Sequence, residues 1–431
     1  MGVDTIGGTR GGAKGYPVHD GTTEVSNYPM LPTVKALILI LLIICFAWVR
    51  ADQTPPESAP PIWSAEVLRK ETGALRDRNL IASIMAQMSP HNSPGVIFLD
   101  DARLIAYEVE AAEKLSSREN PDISSAFQLH ASVIDAATGA FLFTKDWGGA
   151  RSHDSSIQVT TGGILVRTGD VLRILASDFT EIRRLTFPDS SNRHDPMHCD
   201  QRIISVSPTR KTLMLNCYNT TLHFSHLDVW DGNTFRQVRA WSEAPLVHRY
   251  SISDVGIATA DSNQQHVLFT EFGTGRWESV GRSFEVGCVS LTVFLNINVL
   301  AKSGCNELSL LTVEGKVLMT DHPEKHETLG EDKIAVARGG AVLAASLVQG
   351  KGGGFFDTDV RRTRMGVAVY NSSLKKRVVT VNVDPLPKKH YDFALSPDGS
   401  KLAILNDRKV LVYSVPVPST ENAPITPEHE R

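Results

Sequence analysis

Four histidines occupy comparable places in this sequence, each a few residues ahead of an apolar run. They are His153, His198, His248 and His390. Acidic side chains stand close to such positions at Asp154, Asp200, Glu331, Asp332 and Asp392. Imidazole and carboxylate groups can together bind a metal ion or a polar ligand, or exchange protons. The pattern raises two hypotheses: one shared site, or separate histidines that each bond within their own segment.

Four cysteines form two local pairs. The pairs are Cys199 with Cys217 and Cys288 with Cys305, and the midpoint of each pair falls in a predicted turn. Residues equidistant from the turn of an antiparallel hairpin face each other, so both pairs are placed for cross-strand disulfides. Four unrelated buried thiols are the alternative. We favour disulfides, which persist in exported proteins.

An insertion at residues 347–366 lengthens one part of the chain. It carries two aromatic and three basic residues, namely Phe355, Phe356, Arg361, Arg362 and Arg364. An exposed cluster of aromatic and arginine side chains suits binding of a protein partner. A solvated surface hairpin is the alternative, and we slightly favour it.

Motifs of common enzymes and cofactor sites are absent. The sequence has no nucleophile elbow, zinc-protease motif, phosphate loop or dinucleotide fingerprint. We therefore predict no catalytic residue, no cofactor and no metal. The net charge of -4 gives no reason to expect nucleic acid as a partner.

The N-terminal part of the chain predicts export. Residues 36–49 form an unbroken apolar run between Lys35 and Arg50. The run is short for a bilayer span but fits a secretory signal. We expect a disordered extension at 1–33, with Met30 as a possible true start, then a signal peptide or anchor at 34–51 and a proline-rich linker at 52–61. The protein would be extracytoplasmic, and it would touch the membrane through this segment if the segment is not cleaved.

Beyond the linker the periodicity changes twice. Apolar residues at helical spacing predict a helical lead-in over residues 62–94. Short apolar-alternating runs separated by turn residues then continue from 95 to 416, which predicts an all-β domain, and a disordered tail follows at 417–431.

Two sequence elements recur along the all-β part. One is strand, turn, strand, as in LSPDGSKLAI (395–404) and VSPTRKTLML (206–215). The other ends a strand on an Asp, Glu or Asn, as in VIDAATGAFLF (133–143), where the side chain can cap the turn by bonding its own backbone. Counted together they give seven units of about 46 residues, starting near residues 96, 157, 203, 252, 291, 334 and 391.

With SPDGSK (396–401) and DVWDGNT (228–234), the chain resembles exported bacterial β-propellers of the WD-repeat type. The resemblance implies four-stranded blades, seven by our count although six or eight stay open, around a channel lined by the first strands. The four histidines would then gather at one channel mouth. We favour histidines bonded within their own blades, as in WD-repeat families. A fourth strand for the last blade could come from before residue 96, although the helical interpretation of 80–88 opposes it.

We derive two functional hypotheses. The first is an exported or anchored scaffold that binds an unknown protein partner or senses a small ligand. The alternative is an extracytoplasmic propeller enzyme, a lyase or hydrolase, with a histidine and acid site at the channel mouth. Fold alone does not separate them, because function lies in sites placed on folds.

Overall fold

The structure is a computed structural model of the chain. It describes residues 60–416 except for 69–93, 112–126, 150–154, 188–198, 200, 220, 223, 245–249, 262–263, 275–281, 305, 325–326, 352–360 and 389. Within this part, no helix combines the length and the apolar character needed to cross a bilayer. The apolar run 36–49, the linker at 52–59 and the tail at 417–431 lie outside the described residues.

The described chain forms seven antiparallel sheets of four strands each, which we call blades. Blade 1 consists of β2 (Gly95–Phe98), β3 (Arg103–Ala111), β4 (Phe127–Asp135) and β5 (Phe141–Gly148). Blade 2 consists of β6 (Ser155–Thr160), β7 (Gly163–Thr168), β8 (Val171–Leu175) and β9 (Glu181–Thr186). Blade 3 consists of β10 (Gln201–Val206), β11 (Thr212–Asn219), β12 (Phe224–Asp231) and β13 (Gln237–Ala244).

Blades 4 to 6 repeat this order. Blade 4 consists of β14 (Tyr250–Ile252), β15 (Gly256–Ala260), β16 (His266–Glu271), a 3-10 helix (Phe272–Thr274) and β17 (Arg282–Glu285). Blade 5 consists of β18 (Leu291–Phe294), β19 (Val299–Gly304), β20 (Glu307–Thr312) and β21 (Val317–Asp321). Blade 6 consists of β22 (Glu327–Val336), β23 (Val342–Lys351), β24 (Arg361–Asn371) and β25 (Lys376–Asn382).

Blade 7 joins the two ends of the all-β part. Its strands β26 (Tyr391–Leu395), β27 (Lys401–Asn406) and β28 (Lys409–Ser414) are completed by β1 (Trp63–Glu66), which pairs antiparallel with β28. The helical lead-in predicted for residues 62–94 is therefore wrong where it is described. The sequence WSAE alternates half-buried and exposed residues, which is the period of a strand packed on one side.

The seven blades are arranged in a ring. The first strands of successive blades contact one another, and the series closes where β26 of blade 7 contacts β2 of blade 1. Seven buried apolar clusters follow the same order, each formed by two neighbouring blades. A blade is apolar on both faces, so only a neighbour on each side can bury it. The expected seven-bladed, four-stranded propeller is confirmed.

The third and fourth strands of most blades meet at a similar turn. Asp135 Oδ1 accepts hydrogen bonds from Ala137 N (3.0 Å), Thr138 N (2.8 Å) and Thr138 Oγ1 (2.8 Å). Asp231 does the same in blade 3. This confirms the predicted side-chain caps in blades 1 and 3. A register shift follows the turn in blades 1, 2, 3, 5 and 6, which increases the twist of the outer strands.

A disulfide ties the start of blade 3. It joins Cys199 to Cys217 of β11, with Cα atoms 5.3 Å apart. Cys288 is also disulfide-bonded. Cys305, the partner predicted for it, lies outside the described residues.

Candidate interaction surfaces

The outermost strand of blade 1, β5, begins at a tightly built turn. Besides the Asp135 cap, Gly139 adopts a φ of +75°, and a Cβ there would lie 2.8 Å from Trp63 Cε3 of the closing strand. Trp63 Nε1 donates to Ala136 O (3.1 Å) in the same turn. Blade 7 therefore supports the turn that positions β5.

The first residues of β5 form an exposed apolar surface. Phe141, Leu142 and Phe143 are 51%, 48% and 37% exposed. Successive strand residues point to opposite faces, so the three side chains are displayed on both sides of the strand. No other outer strand exposes three large apolar residues in a row, as far as the described side chains go. We call Phe141–Phe143 the rim surface.

Contacts to blade 2 and to β4 fix β5, and Phe143 of the rim surface takes part in them. Phe143 and Trp147 contact the ring of Phe179 in blade 2, with centroids 5.1 and 6.4 Å away. The ring of His130, which is buried in β4, donates from Nδ1 to Asp146 Oδ1 (2.6 Å). These contacts fix β5 in place, while Phe141 and Leu142 stay about half exposed.

The geometry of β5 suits addition of another strand. Within the described chain, β4 pairs with one edge of β5 and no strand pairs with the other edge. An open edge offers backbone donors and acceptors to an extended peptide, and flanking apolar side chains add contact area. Exposed contiguous apolar residues often mark interaction sites.

The predicted histidine site is only partly visible. His153, His198 and His248 lie outside the described residues. His390 immediately precedes β26, and its backbone N–H and C=O both bond Asp407, in the turn between β27 and β28 of the same blade (3.1 and 2.7 Å). Its gathering with the other three histidines stays a prediction.

Asp392, near the start of β26, bonds groups of both neighbouring blades. Asp392 accepts from Lys333 Nζ of blade 6 (2.5 Å) and from Val96 N of blade 1 (2.9 Å). Asp332 is exposed, and no three metal-ligating side chains come together among the residues that the structure describes.

The insertion of blade 6 extends a hairpin of the blade itself. Strands β23 and β24 stay paired as far as Lys351 and Arg361, so the predicted insertion begins inside the sheet. Arg364 donates to the buried carboxylate of Glu327 (3.0 Å) and to Asn382 (2.8 Å). Phe355 and Phe356 lie outside the described residues, as do the side chains of Arg361 and Arg362. At least one predicted partner-binding arginine thus stabilises the blade.

An arginine of blade 3 bonds the backbone of blade 1. Arg210, in the turn after β10, donates to Leu99 O (2.6 Å) and Phe98 O (2.8 Å) of blade 1. Burial and the nearby charge of Arg338 lower the pKa of Arg210 to about 10. Since blade 2 lies between blades 1 and 3, this side chain braces two blades that are not neighbours.

The sequence analysis does not predict the rim surface. In it, FLFTKDW (141–147) is only the strand that returns after a turn of the repeat. Its signal is the break in alternation: three consecutive apolar residues in an outer strand cannot all face the core.

Comparisons with known proteins identify no family. No family model matches the chain, and no curated protein matches it. Solved structures with a similar course include one described as the mitotic checkpoint complex, at 11% identity and a TM-score of 0.47, covering 84% of this chain and 95% of that one. The Pan2 WD40 domain of Neurospora crassa matches at 10% identity and a TM-score of 0.49, covering 84% of this chain and 98% of that one.

The C-terminal WD40 domain of Sif2 matches at 10% identity and a TM-score of 0.42, covering 76% of this chain and 97% of that one. These similarities are too distant to support an argument. The fold rests on the strand order and ring of contacts described above.

Proposed function

We propose that the protein is a non-enzymatic scaffold that binds a protein partner at the rim surface. The observation that carries the proposal is the run Phe141–Phe143, half exposed on a strand with an open edge. An extended, apolar segment of the partner would add to β5 as a fifth strand. Its backbone would supply hydrogen bonds, and its side chains would cover the rim surface.

The proposal includes a place for the protein outside the cytoplasm. The apolar run 36–49 and the disulfide of blade 3 support export, because disulfides persist in oxidising compartments. Export from a bacterial cell, with residues 34–50 as signal or anchor, is part of the proposal. We also propose that the axial channel senses a small ligand.

Site-directed photo-crosslinking tests the rim surface. A benzophenone side chain at Leu142 should crosslink one discrete partner in cells that produce the protein. The matched control is the same probe at Val317, which is 56% exposed on the outer strand of blade 5. Equal crosslinking at the two positions would contradict the proposal.

A charge at the rim surface should abolish the complex without unfolding the blade. Leu142→Glu should lose the crosslinked partner in a pull-down, while Val317→Glu keeps it. The free energy of unfolding of both variants should lie within about 0.5 kcal/mol of that of the parent, because substitutions at exposed positions usually change it little. If Leu142→Glu retained the partner, the rim surface would not be the partner-binding site. Deletion of residues 352–360 tests the second partner-binding candidate, the segment with Phe355 and Phe356, in the same assay.

A further inference from the structure

The disulfide of blade 3 lies in a row of side chains that faces blade 2. Cys217 of β11 is directly opposite Arg202 of β10 on one side and directly opposite His226 of β12 on the other. Directly opposite side chains share one face of an antiparallel sheet, with Cβ atoms about 5 Å apart. Leu215, two residues along β11, packs on this face in the apolar cluster that joins blades 2 and 3. Cys217 therefore lies between two basic side chains at the junction of these blades.

Carboxylates hold both basic side chains in place. Arg202 Nη1 pairs with Asp170 of blade 2 (2.8 Å), and His226 Nε2 pairs with Asp228 Oδ1 (3.2 Å). The hydrogen bond to Asp228 raises the pKa of His226, which favours the imidazolium form of the ring.

A third cation comes from blade 2. Arg167 is 3% exposed and donates to the backbone of Arg202. Together with Cys217, Arg202 and Asp228, it lines a cavity of about 40 Å³. Among the described residues, three basic side chains and two carboxylates thus lie around Cys217. Positive charge beside a cysteine stabilises its thiolate form.

The bridge is not enclosed by the fold. Cys199 and Cys217 are both half-buried, and Cys199 precedes β10 outside any strand. The neighbours of Cys199 in the chain, His198 and Asp200, lie outside the described residues. Thiol–disulfide exchange is fastest when the sulfur that leaves is a stabilised thiolate, so the surroundings of Cys217 favour attack at Cys199.

From this arrangement we propose that Cys199–Cys217 is an exchange site for a small thiol. The attacking thiolate bonds to Cys199 Sγ, the bridge breaks, and its electron pair leaves on Cys217 Sγ beside Arg202 and His226. A second thiolate then attacks the mixed disulfide and releases the oxidised small thiol, and the Cys199 thiolate takes up a proton. Two small thiols are thereby oxidised to one disulfide, and the bridge is reduced to two cysteine thiols.

The exchange site goes beyond the proposed function. It shares no residue with the rim surface, so either can fail without the other. With the protein outside the cytoplasm, as proposed, the bridge is the resting form and a small thiol opens it.

Reaction with glutathione tests the direction of attack. The oxidised full chain is incubated with glutathione at pH 7, quenched with acid and alkylated, and its peptides are mapped by mass spectrometry. Glutathione should be found on Cys199 at least about fivefold more often than on Cys217, because Cys217 is the better leaving group. Equal amounts on the two cysteines, or no glutathione on either while the chain stays folded, would overturn the proposal in favour of a purely structural bridge.

Alkylation of Cys217 in the Cys199→Ser variant tests the stabilised thiolate. The pH at which iodoacetamide reacts at half its maximal rate should lie at least about one unit below 8.5, the usual value for a cysteine. His226→Gln should slow the reaction at pH 7 about threefold, because it removes one of the cations.

The matched control for His226→Gln is His266→Gln. Both histidines are 36% exposed and pair with an aspartate, but His266 lies in blade 4 and bonds Asp261 (2.9 Å). A midpoint at pH 8.5 or above, or equal slowing by the two substitutions, would refute the stabilisation of Cys217. Crosslinking at Leu142 should be the same whichever result is obtained.

Discussion

At the scale of single residues, one carboxylate organises the outer turn of blade 1 and another that of blade 3. Asp231 Oδ1 accepts from Asn233 N (3.0 Å), Thr234 N (2.7 Å) and Thr234 Oγ1 (2.9 Å). The hydrogen bonds from the backbone and hydroxyl of Thr234 lower the pKa of Asp231 below its usual value of 3.8. The ionised carboxylate is therefore the form that the folded turn prefers.

Replacing this carboxylate should weaken blade 3. We expect Asp231→Ala to lower the free energy of unfolding in urea by about 1 kcal/mol at pH 7, and Asp231→Asn to lower it less, because an amide oxygen still accepts. The folded pKa is lowered, so the contribution is present above about pH 4 and fades as the pH falls further. The gap between the parent and Asp231→Ala should narrow in that window. A gap that is constant down to pH 2 would contradict this account.

At the scale of elements, β1 is the piece that completes blade 7. All four of its residues pair with β28, from Trp63 opposite Val412 to Glu66 opposite Lys409. Trp63 also reaches the turn of blade 1 through Ala136 and packs against Gly139. Glu66 pairs with Arg408 of blade 7 (2.8 Å), so Trp63 is the side chain of β1 that links blade 7 to the turn of blade 1.

Loss of the Trp63 side chain should weaken the pairing of β1 with β28. Trp63→Ala should lower the free energy of unfolding by about 2 kcal/mol, less than a fully buried tryptophan would, since Trp63 is half-buried. The backbone amides of β28 should exchange hydrogen faster in this variant than in the parent. Ile62→Ala is the control, because Ile62 is 51% exposed and should change the stability little. Unchanged exchange in β28 after Trp63→Ala would show that β1 does not hold the blade.

At the scale of the whole molecule, the sequence predicted the ring better than its closure. Six of the seven predicted unit starts lie within two residues of the position where a first strand begins, because turn residues and apolar alternation are local signals. The exception is β22, which begins at Glu327 and carries a register shift between Leu329 and Ile334. The pairing of β1 with β28 joins distant parts of the chain. The four residues of β1 are too few to show a local pattern that would predict this pairing.

The candidate sites also differ in whether a local sequence pattern could predict them. The rim surface could have been found from the broken alternation at Phe141–Phe143. The cavity lined by β6, β10, β14 and β18 could not be found in this way, because only the ring brings these strands together. The four histidines formed a pattern in sequence, yet the described part of the chain includes only His390.

The redox state of the disulfide of blade 3 tests the proposed location of the protein outside the cytoplasm. Reduction of Cys199–Cys217, which closes a loop with a sequence separation of 18, should cost about 3 kcal/mol of unfolding free energy. Peptide mapping of unreduced protein from its native compartment should find this bridge and a second one between Cys288 and Cys305. Free thiols at Cys199 and Cys217 would contradict the proposed export. The Cys199→Ser/Cys217→Ser double variant is the control, since only the second bridge can respond to reductant there.

Closure by β1 also sets an order in time. During synthesis, Trp63–Glu66 leave the ribosome long before Lys409–Ser414, the strand they pair with. Blades 1 to 6 can each form a sheet as they emerge, but the outer position of blade 7 must wait for nearly the whole all-β part to be made. Until then, one face of blade 1 lacks its covering neighbour. The nascent chain should therefore depend on chaperones most strongly just before its last strands appear.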